Sequence, residues 1–143
     1  MLEELLNLPE IIILKVENIA NEIHIYSESA LKVGFCPQGS EKIDVVKSYR
    51  ERVIRDLPIS GRKVYIHLKV RQFYCAEHHE YFYQSFSFVD SNAVFTNRYK
   101  ENIYNSCKGV DIQYIANKEE LSWDTVNDIF KNYSQEEIEK KNG

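Results

Sequence analysis

From Val64 to Arg71 the chain alternates branched apolar residues (Val64, Ile66, Leu68, Val70) with Tyr65, His67, Lys69 and Arg71. Period two is the side-chain repeat of a strand, so this run predicts one apolar face to be covered and one cationic face. Leu57-Pro58-Ile59-Ser60-Gly61, immediately upstream, is a turn by composition. Asp44 to Arg55 before it has strand-like content, so a hairpin is expected between Asp44–Arg55 and Arg62–Tyr74. A one-sided hairpin needs a covering layer. The 143 residues suit one domain, or one domain with a small appendage, and can bury a real core.

The flanks supply further short elements. Leu2–Leu8 reads as a short helix stopped by Pro9. Ile11–Val16 and Glu22–Tyr26 are rich in β-branched and aromatic residues and read as a second hairpin, with Ile23 and Ile25 on its covered face. Leu31–Phe35 suggests a third strand running into a Cys36-Pro37-Gln38-Gly39 turn. Residues 73–88 are dense in aromatics (Phe73, Tyr74, Tyr81, Phe82, Tyr83, Phe86, Phe88), more suited to a core than to stacking on bases. After Asn92 the character becomes helical, with candidates at Arg98–Cys107, Asp111–Lys118 and Trp123–Asn132 and a charged tail from Gln135. The expected organisation is α+β: a small antiparallel β domain of zinc-ribbon-like hairpins over 1–90, then a helical domain over 91–143.

Charge is segregated along the chain. The net value of -4 is an average. Residues 1–46 carry three Lys and eight acids, and 74–143 carry seven bases and twelve acids, each a net -5. Residues 47–73 carry Lys47, Arg50, Arg52, Arg55, Arg62, Lys63, Lys69 and Arg71 against Glu51 and Asp56, a net +6. Such a block is a candidate phosphate-facing surface, or equally a solvated hairpin. A 43% hydrophobic and 28% charged composition excludes wholesale disorder. Ile11–Leu14, the longest apolar run, is too short to span a membrane, and Glu3 and Glu4 replace the basic start of a signal peptide. A cytoplasmic protein without a disulfide framework is expected.

Ala116, Leu121, Val126 and Ile129 form a helix-turn-helix frame. A small Ala lets the second helix pack closely across the first, and Val126 and Ile129 form its inner stripe. Ser122 is placed as the N-cap. In a DNA-binding version Ser122, Trp123, Thr125 and Asn127 would enter the major groove. Glu120 stands where such turns usually place Gly, and Asp124 and Asp128 on the second helix would repel phosphate. Two core-packing helices without a DNA role share this pattern.

Cys75-Ala76-Glu77-His78 has the spacing of half a zinc site, with His79 adjoining, and Cys36-Pro37-Gln38-Gly39 is a C-P-x-C-G knuckle lacking its second Cys. Cys36, Cys75, His78 and His79 are therefore the candidate zinc ligands. The alternative is an aromatic and aliphatic core in place of the metal. Cys107 reads as a buried hydrophobe, and His24 and His67 as surface or satisfied residues.

In this order the pieces resemble the N-terminal region of the ISL-three-type transposases of bacterial insertion sequences. The resemblance rests on the apolar strand pair, on the knuckle, on Arg52-Val53-Ile54-Arg55-Asp56-Leu57-Pro58-Ile59-Ser60-Gly61-Arg62-Lys63-Val64, on Arg71-Gln72-Phe73-Tyr74-Cys75-Ala76-Glu77-His78-His79-Glu80-Tyr81-Phe82, and on the helix-turn-helix. It spans roughly residues 5–131. It implies ligand positions at Cys36, Cys75 and His78 with the fourth missing, and DNA at the ends of a mobile element as partner. It also implies that the acidic catalytic triad belongs to a later domain. The expected function is therefore a non-catalytic DNA-binding module, with the basic hairpin on phosphates, the helix-turn-helix in a groove, and a homodimer among its candidate assemblies. The rival is a transposase-derived interaction or regulatory protein that no longer binds DNA. No small-molecule site or enzyme motif is apparent.

Overall fold

Two tight hairpins carry the sheet. Strand β1 (Ile11–Ile19) turns into β2 (Glu22–Ser29) through Ala20 and Asn21, at φ 51° and 62°. Short β3 (Gly34–Phe35) and β4 (Lys42–Ile43) follow as a separate two-stranded ribbon. Strand β5 (Ser48–Ile59) then turns into β6 (Arg62–Cys75) through Ser60 (φ 51°) and Gly61 (φ 74°). Two-residue loops with both residues at positive φ match the right-handed twist of the strands they join. Strand β7 (Glu80–Tyr83) folds back on the end of β6. The computed structural model describes residues 5–142. Leu5 and Leu6 are helical, while the start of the expected Leu2–Leu8 helix lies outside the described residues.

The sheet order is β1-β2-β6-β5, with β7 also on β6. The expected antiparallel domain is mostly antiparallel, with one exception: β2 and β6 run parallel, from Glu22↔Lys63 to Glu28↔Lys69. The reason is topological. The connection through the β3–β4 ribbon returns the chain to the sheet at the end where β2 leaves it, so β5 runs down and β6 runs up beside β2. The predicted third strand Leu31–Phe35 reduces to Gly34–Phe35, and the predicted turn Leu57–Gly61 tightens to Ser60–Gly61. Leu57 and Pro58 instead form a bulge, since Asp56 pairs with Val64 and Ile59 with Arg62. An unpaired position suits proline, which has no N–H to give the ladder.

The period-two prediction holds on the covered face. Ile54, Val64, Ile66, Leu68 and Val70 are fully buried, and Leu8, Ile11, Phe86 and Val89 pack onto this core. Each such side chain contributes about 1.5–3 kcal/mol relative to exposure. Residues 94–96 close the far edge of β5: Arg55 N donates to Val94 O at 2.8 Å, and Thr96 N donates to Arg55 O at 3.0 Å.

Contacts divide the chain into residues 1–96 and 97–143. The second unit holds α1 (Asn97–Ser106), α2 (Ile112–Glu119) and α3 (Trp123–Asn142). Asp111 caps α2 by accepting from Gln113 N at 3.1 Å. Helix α3 continues past Asn132, and the charged tail extends it. The core of this unit is Tyr99, Ile103, Ile115, Ala116, Val126 and Ile129. Tyr104 packs beside Phe130 and Tyr133 and donates its hydroxyl to Glu137 at 2.7 Å. Among the described residues no helix is long and apolar enough to cross a membrane.

Candidate metal cluster and nucleic-acid surfaces

The β3–β4 ribbon and the β6–β7 turn bring four ligand-type side chains together: Cys36, Glu41, Cys75 and His78, with their donor atoms within 4.8 Å of one another. The turn 36–41 is closed by Ser40 N donating to Cys36 O (2.8 Å) and Cys36 N donating to Glu41 O (3.0 Å). This closure aims the Cys36 thiol and the Glu41 carboxylate to one side. His78 Nδ1 lies 3.5 Å from Cys36 Sγ, 3.4 Å from Cys75 Sγ and 3.2 Å from Glu41 Oε2. Cys75 Sγ lies 3.5 Å from Glu41 Oε2. Ligand atoms around tetrahedral zinc stand about 3.6 Å apart for sulfur with nitrogen or oxygen and about 3.3 Å for nitrogen with oxygen. The set therefore fits zinc in both chemistry and spacing.

Electrostatics within the cluster are mutual. Burial, then the neighbouring Cys36 and Glu41, push the Cys75 thiol above its ordinary value. Burial opposes the charge on Glu41, but its own backbone N–H, the Cys75 thiol and His78 outweigh this and hold the carboxyl below its usual range. Phe73 and Phe82, stacked at 5.7 Å, form the floor beneath Cys36 and Cys75.

The sequence placed His79 in this set, and the structure places Glu41 there instead. His79 is exposed at positive φ, and its Nδ1 lies 3.4 Å from the Tyr74 hydroxyl. Glu41 escaped notice because a carboxylate five residues after a cysteine carries no zinc spacing signal of its own. Only the closed turn brings it round.

The eight basic residues of 47–73 do not share one face. Arg50 and Arg52 pair opposite Val70 and Leu68, on the covered side. Arg52 Nη2 donates to Asp90 O and Ala93 O, both at 2.8 Å, and Arg50 stands over the Tyr83 ring and reaches Asn92. Both hold the covering segment to the sheet. Burial and the Arg50 charge lower the pKa of Arg52. Arg71 is buried, its Nη1 donating to Ser29 O (3.0 Å) and Leu31 O (3.2 Å), with Glu28 at 3.6 Å from Nη2. Arg55 is buried as well. Arg62 reaches Asn18 at 2.7 Å with that amide suitably turned. Lys47 is exposed, Lys63 is half-buried, and exposed Lys69 lies over the Tyr49 ring at 4.3 Å.

The predicted cationic face is mixed in composition. Tyr65, His67 and Lys69 share it with His24, Tyr26 and Glu28 of β2 and with Glu51 of β5. Its centre is a stacked patch, His24 on Tyr65 and Tyr26 on His67. His24 Nδ1 and His67 Nε2 are 2.8 Å apart, with Glu22 and Glu51 at the outer ring nitrogens. Both histidines are thus satisfied, as expected.

In the helical unit, Glu120, Leu121 and Ser122 join α2 to α3. Glu120 itself takes the left-handed conformation (φ 56°, ψ 46°) for which glycine is the usual residue, and Leu121 N donates to Ala116 O at 2.9 Å. Ser122 Oγ accepts from Thr125 N at 3.1 Å, as the predicted N-cap. Ala116 and Val126 are fully buried in the seam. Ser122, Trp123 and Asp124 are exposed, and Thr125 and Asn127 are half-buried.

Comparison with known families agrees with both pieces. Residues 32–78 match the zinc-finger of transposase IS204/IS1001/IS1096/IS1165, and residues 84–134 match the helix-turn-helix domain of transposase family ISL3. The first match contains all four clustered side chains, and the second contains α1, α2 and the start of α3. No curated protein and no solved structure matches the chain.

Proposed function

We propose that this chain, which carries in order the zinc-ribbon and helix-turn-helix domains of the N-terminal region of ISL3-family transposases, is a DNA-recognition module. The observation that carries this reading is the capped start of α3. It leaves Ser122 and Trp123 exposed while Ala116 and Val126 lock the helix crossing beneath them. That is the arrangement by which a second helix presents its N-terminal residues to a groove. Trp123, Thr125 and Asn127 are the base-edge candidates. Lys47, Lys63, Lys69 and Arg62 are the phosphate candidates of the hairpin, whereas Arg50, Arg52, Arg55 and Arg71 brace the fold that displays them.

Zinc, when bound, cross-links the β3–β4 ribbon to the β6–β7 turn. Cys36, Cys75 and His78 would hold it. Both family matches are to domains of the DNA-binding kind, and this reading assigns the chain recognition alone.

A salt-titrated DNA-binding assay tests the proposal. Wild type should bind with log K falling linearly in log salt, and a Lys47→Glu/Lys63→Glu/Lys69→Glu variant should bind weakly with a slope shallower by about 0.9 per lost phosphate contact. Absence of binding by wild type at low salt would reject it. A protein-interaction role then becomes the better reading, favoured by Asp124 and Asp128 exposed on α3.

A further inference from the structure

We infer that Glu41 is the fourth zinc ligand of this ribbon and that it stands in for the cysteine missing at position 39. The inference rests on the zinc-ribbon reading and adds the identity of the ligand that completes the site. The knuckle supplies a thiol at Cys36, and the second knuckle position is Gly39, which has no side chain to offer. A Cβ built on Gly39 would overlap Glu41 Oε1 and stand 2.5 Å from His78 Cε1. The direction in which a cysteine at 39 would project is therefore the direction from which the Glu41 carboxylate now enters. Gly39 is not among the positive-φ residues, so it is space, not backbone conformation, that excludes a side chain there. Carboxylate and absent thiol are alternative occupants of one position.

The remaining distances agree. Glu41 Oε2 is 3.2 Å from His78 Nδ1 and 3.5 Å from Cys75 Sγ. Those are ligand-to-ligand separations of a tetrahedral shell, about 3.3 and 3.6 Å. The shell is then two thiolates, one imidazole through Nδ1 and one carboxylate. A carboxylate is a harder donor than the thiolate it replaces, so the site is less sulfur-rich than a four-cysteine ribbon.

Cobalt(II) and zinc titration of the intact protein tests this, with wild type, Glu41→Ala, Glu41→Gln, His79→Ala and Gly39→Cys/Glu41→Ala compared. Wild-type cobalt protein should show tetrahedral visible bands and a sulfur-to-cobalt charge-transfer absorbance for two thiolates. Glu41→Ala and Glu41→Gln should lose zinc affinity by more than about tenfold, since even outer-shell changes cost that much, and should shift the visible bands. His79→Ala should match wild type. Gly39→Cys/Glu41→Ala should recover affinity and raise the charge-transfer absorbance about 1.5-fold, three thiolates for two, as expected when both ligands occupy one place. The double variant keeps the test open if a single variant fails to fold.

Unchanged affinity and spectrum in Glu41→Ala would overturn the ligand assignment and leave the zinc ribbon standing. A loss in His79→Ala with none in Glu41→Ala would transfer the role to His79. No cobalt or zinc uptake by wild type would reject the ribbon reading itself, and the assignment with it.

Discussion

Thr96 donates its hydroxyl to Asp56 Oδ1 at 2.8 Å, and both residues are sealed from solvent. Asp56 is the last paired residue before the Leu57-Pro58 bulge, in the stretch that carries much of the family resemblance. Its structural work is to hold the 94–96 segment along the edge of β5. That segment covers N–H and C=O groups that an open edge would offer to another chain. Asp56→Ala removes an acceptor from the buried Thr96 hydroxyl, at an expected cost of about 1–3 kcal/mol. Thr96→Val takes a donor from the buried Asp56 carboxylate and should cost at least as much. Urea denaturation of both variants and the double variant measures the coupling, which should make the pair's effects less than additive.

Arg71 separates a charge that holds the fold from one that meets a partner. Its guanidinium bonds the carbonyls of Ser29 and Leu31 where the chain leaves β2 for the ribbon. Gln84 fastens the same stretch through Leu31 O and Val33 O. Arg71→Met should lower stability by roughly 3 kcal/mol, the range for breaking a buried charge pair. At temperatures where the variant is folded, its DNA salt slope should equal that of wild type. A shallower slope would place Arg71 on the phosphates instead.

Ser122 caps α3 through Thr125 N. Ser122→Ala should destabilise the helical unit by about 1 kcal/mol, and Ser122→Asp should retain the cap. If Ser122 also touches DNA, Ser122→Asp will weaken binding without the stability loss. Thermal melts read beside binding isotherms separate the two roles.

The helical unit should weaken in alkali. Burial pushes the Cys107 thiol above its ordinary value, and the hydrogen bond to Glu137, with burial, pushes Tyr104 up. A group whose folded pKa is raised favours folding while it stays protonated, and that contribution is lost as pH rises. Stability should therefore fall from about pH 8.5, the ordinary thiol value, and again near pH 10. In Cys107→Ala the first of these declines should disappear, whatever the variant's stability at neutral pH. Denaturant midpoints from pH 7 to 10.5 give the profile.

Gly34 lies against the aromatic floor of the metal cluster. A Cβ there would stand 2.5 Å from Phe73 Cδ2 and 2.9 Å from Phe82 Cε2. Both rings are packed in the core, so Gly34→Ala should cost about 1–3 kcal/mol by overpacking. It should also loosen zinc, because the ribbon that carries Cys36 must shift. Zinc release to a chelator, followed beside urea unfolding, would show both effects; an unchanged release rate would uncouple the ribbon from its floor.

Periodicity and spacing determined much of this protein. The alternation at 64–71 gave a strand and the identity of its buried face, because period two is a property of the backbone. The helix seam at Ala116 and Val126 and the Ser122 cap were legible for the same local reason. The clustering of Cys36, Cys75 and His78 was legible because ligand-type side chains at knuckle and C-x-x-H spacings are gathered by short turns. Only the tertiary structure decided which strands became neighbours. The parallel β2–β6 pairing depends on how the intervening ribbon routes the chain, and no residue in either strand records it. Tertiary packing also divided the cations that composition had grouped, since strand pairing and the segments laid over the sheet decided what each one met. Arg50 and Arg52 went to the covered side, Arg71 to a buried clamp, and Lys69 to the solvent. Glu41 reached the cluster by the closure of one turn, into space that a glycine two residues earlier had left open.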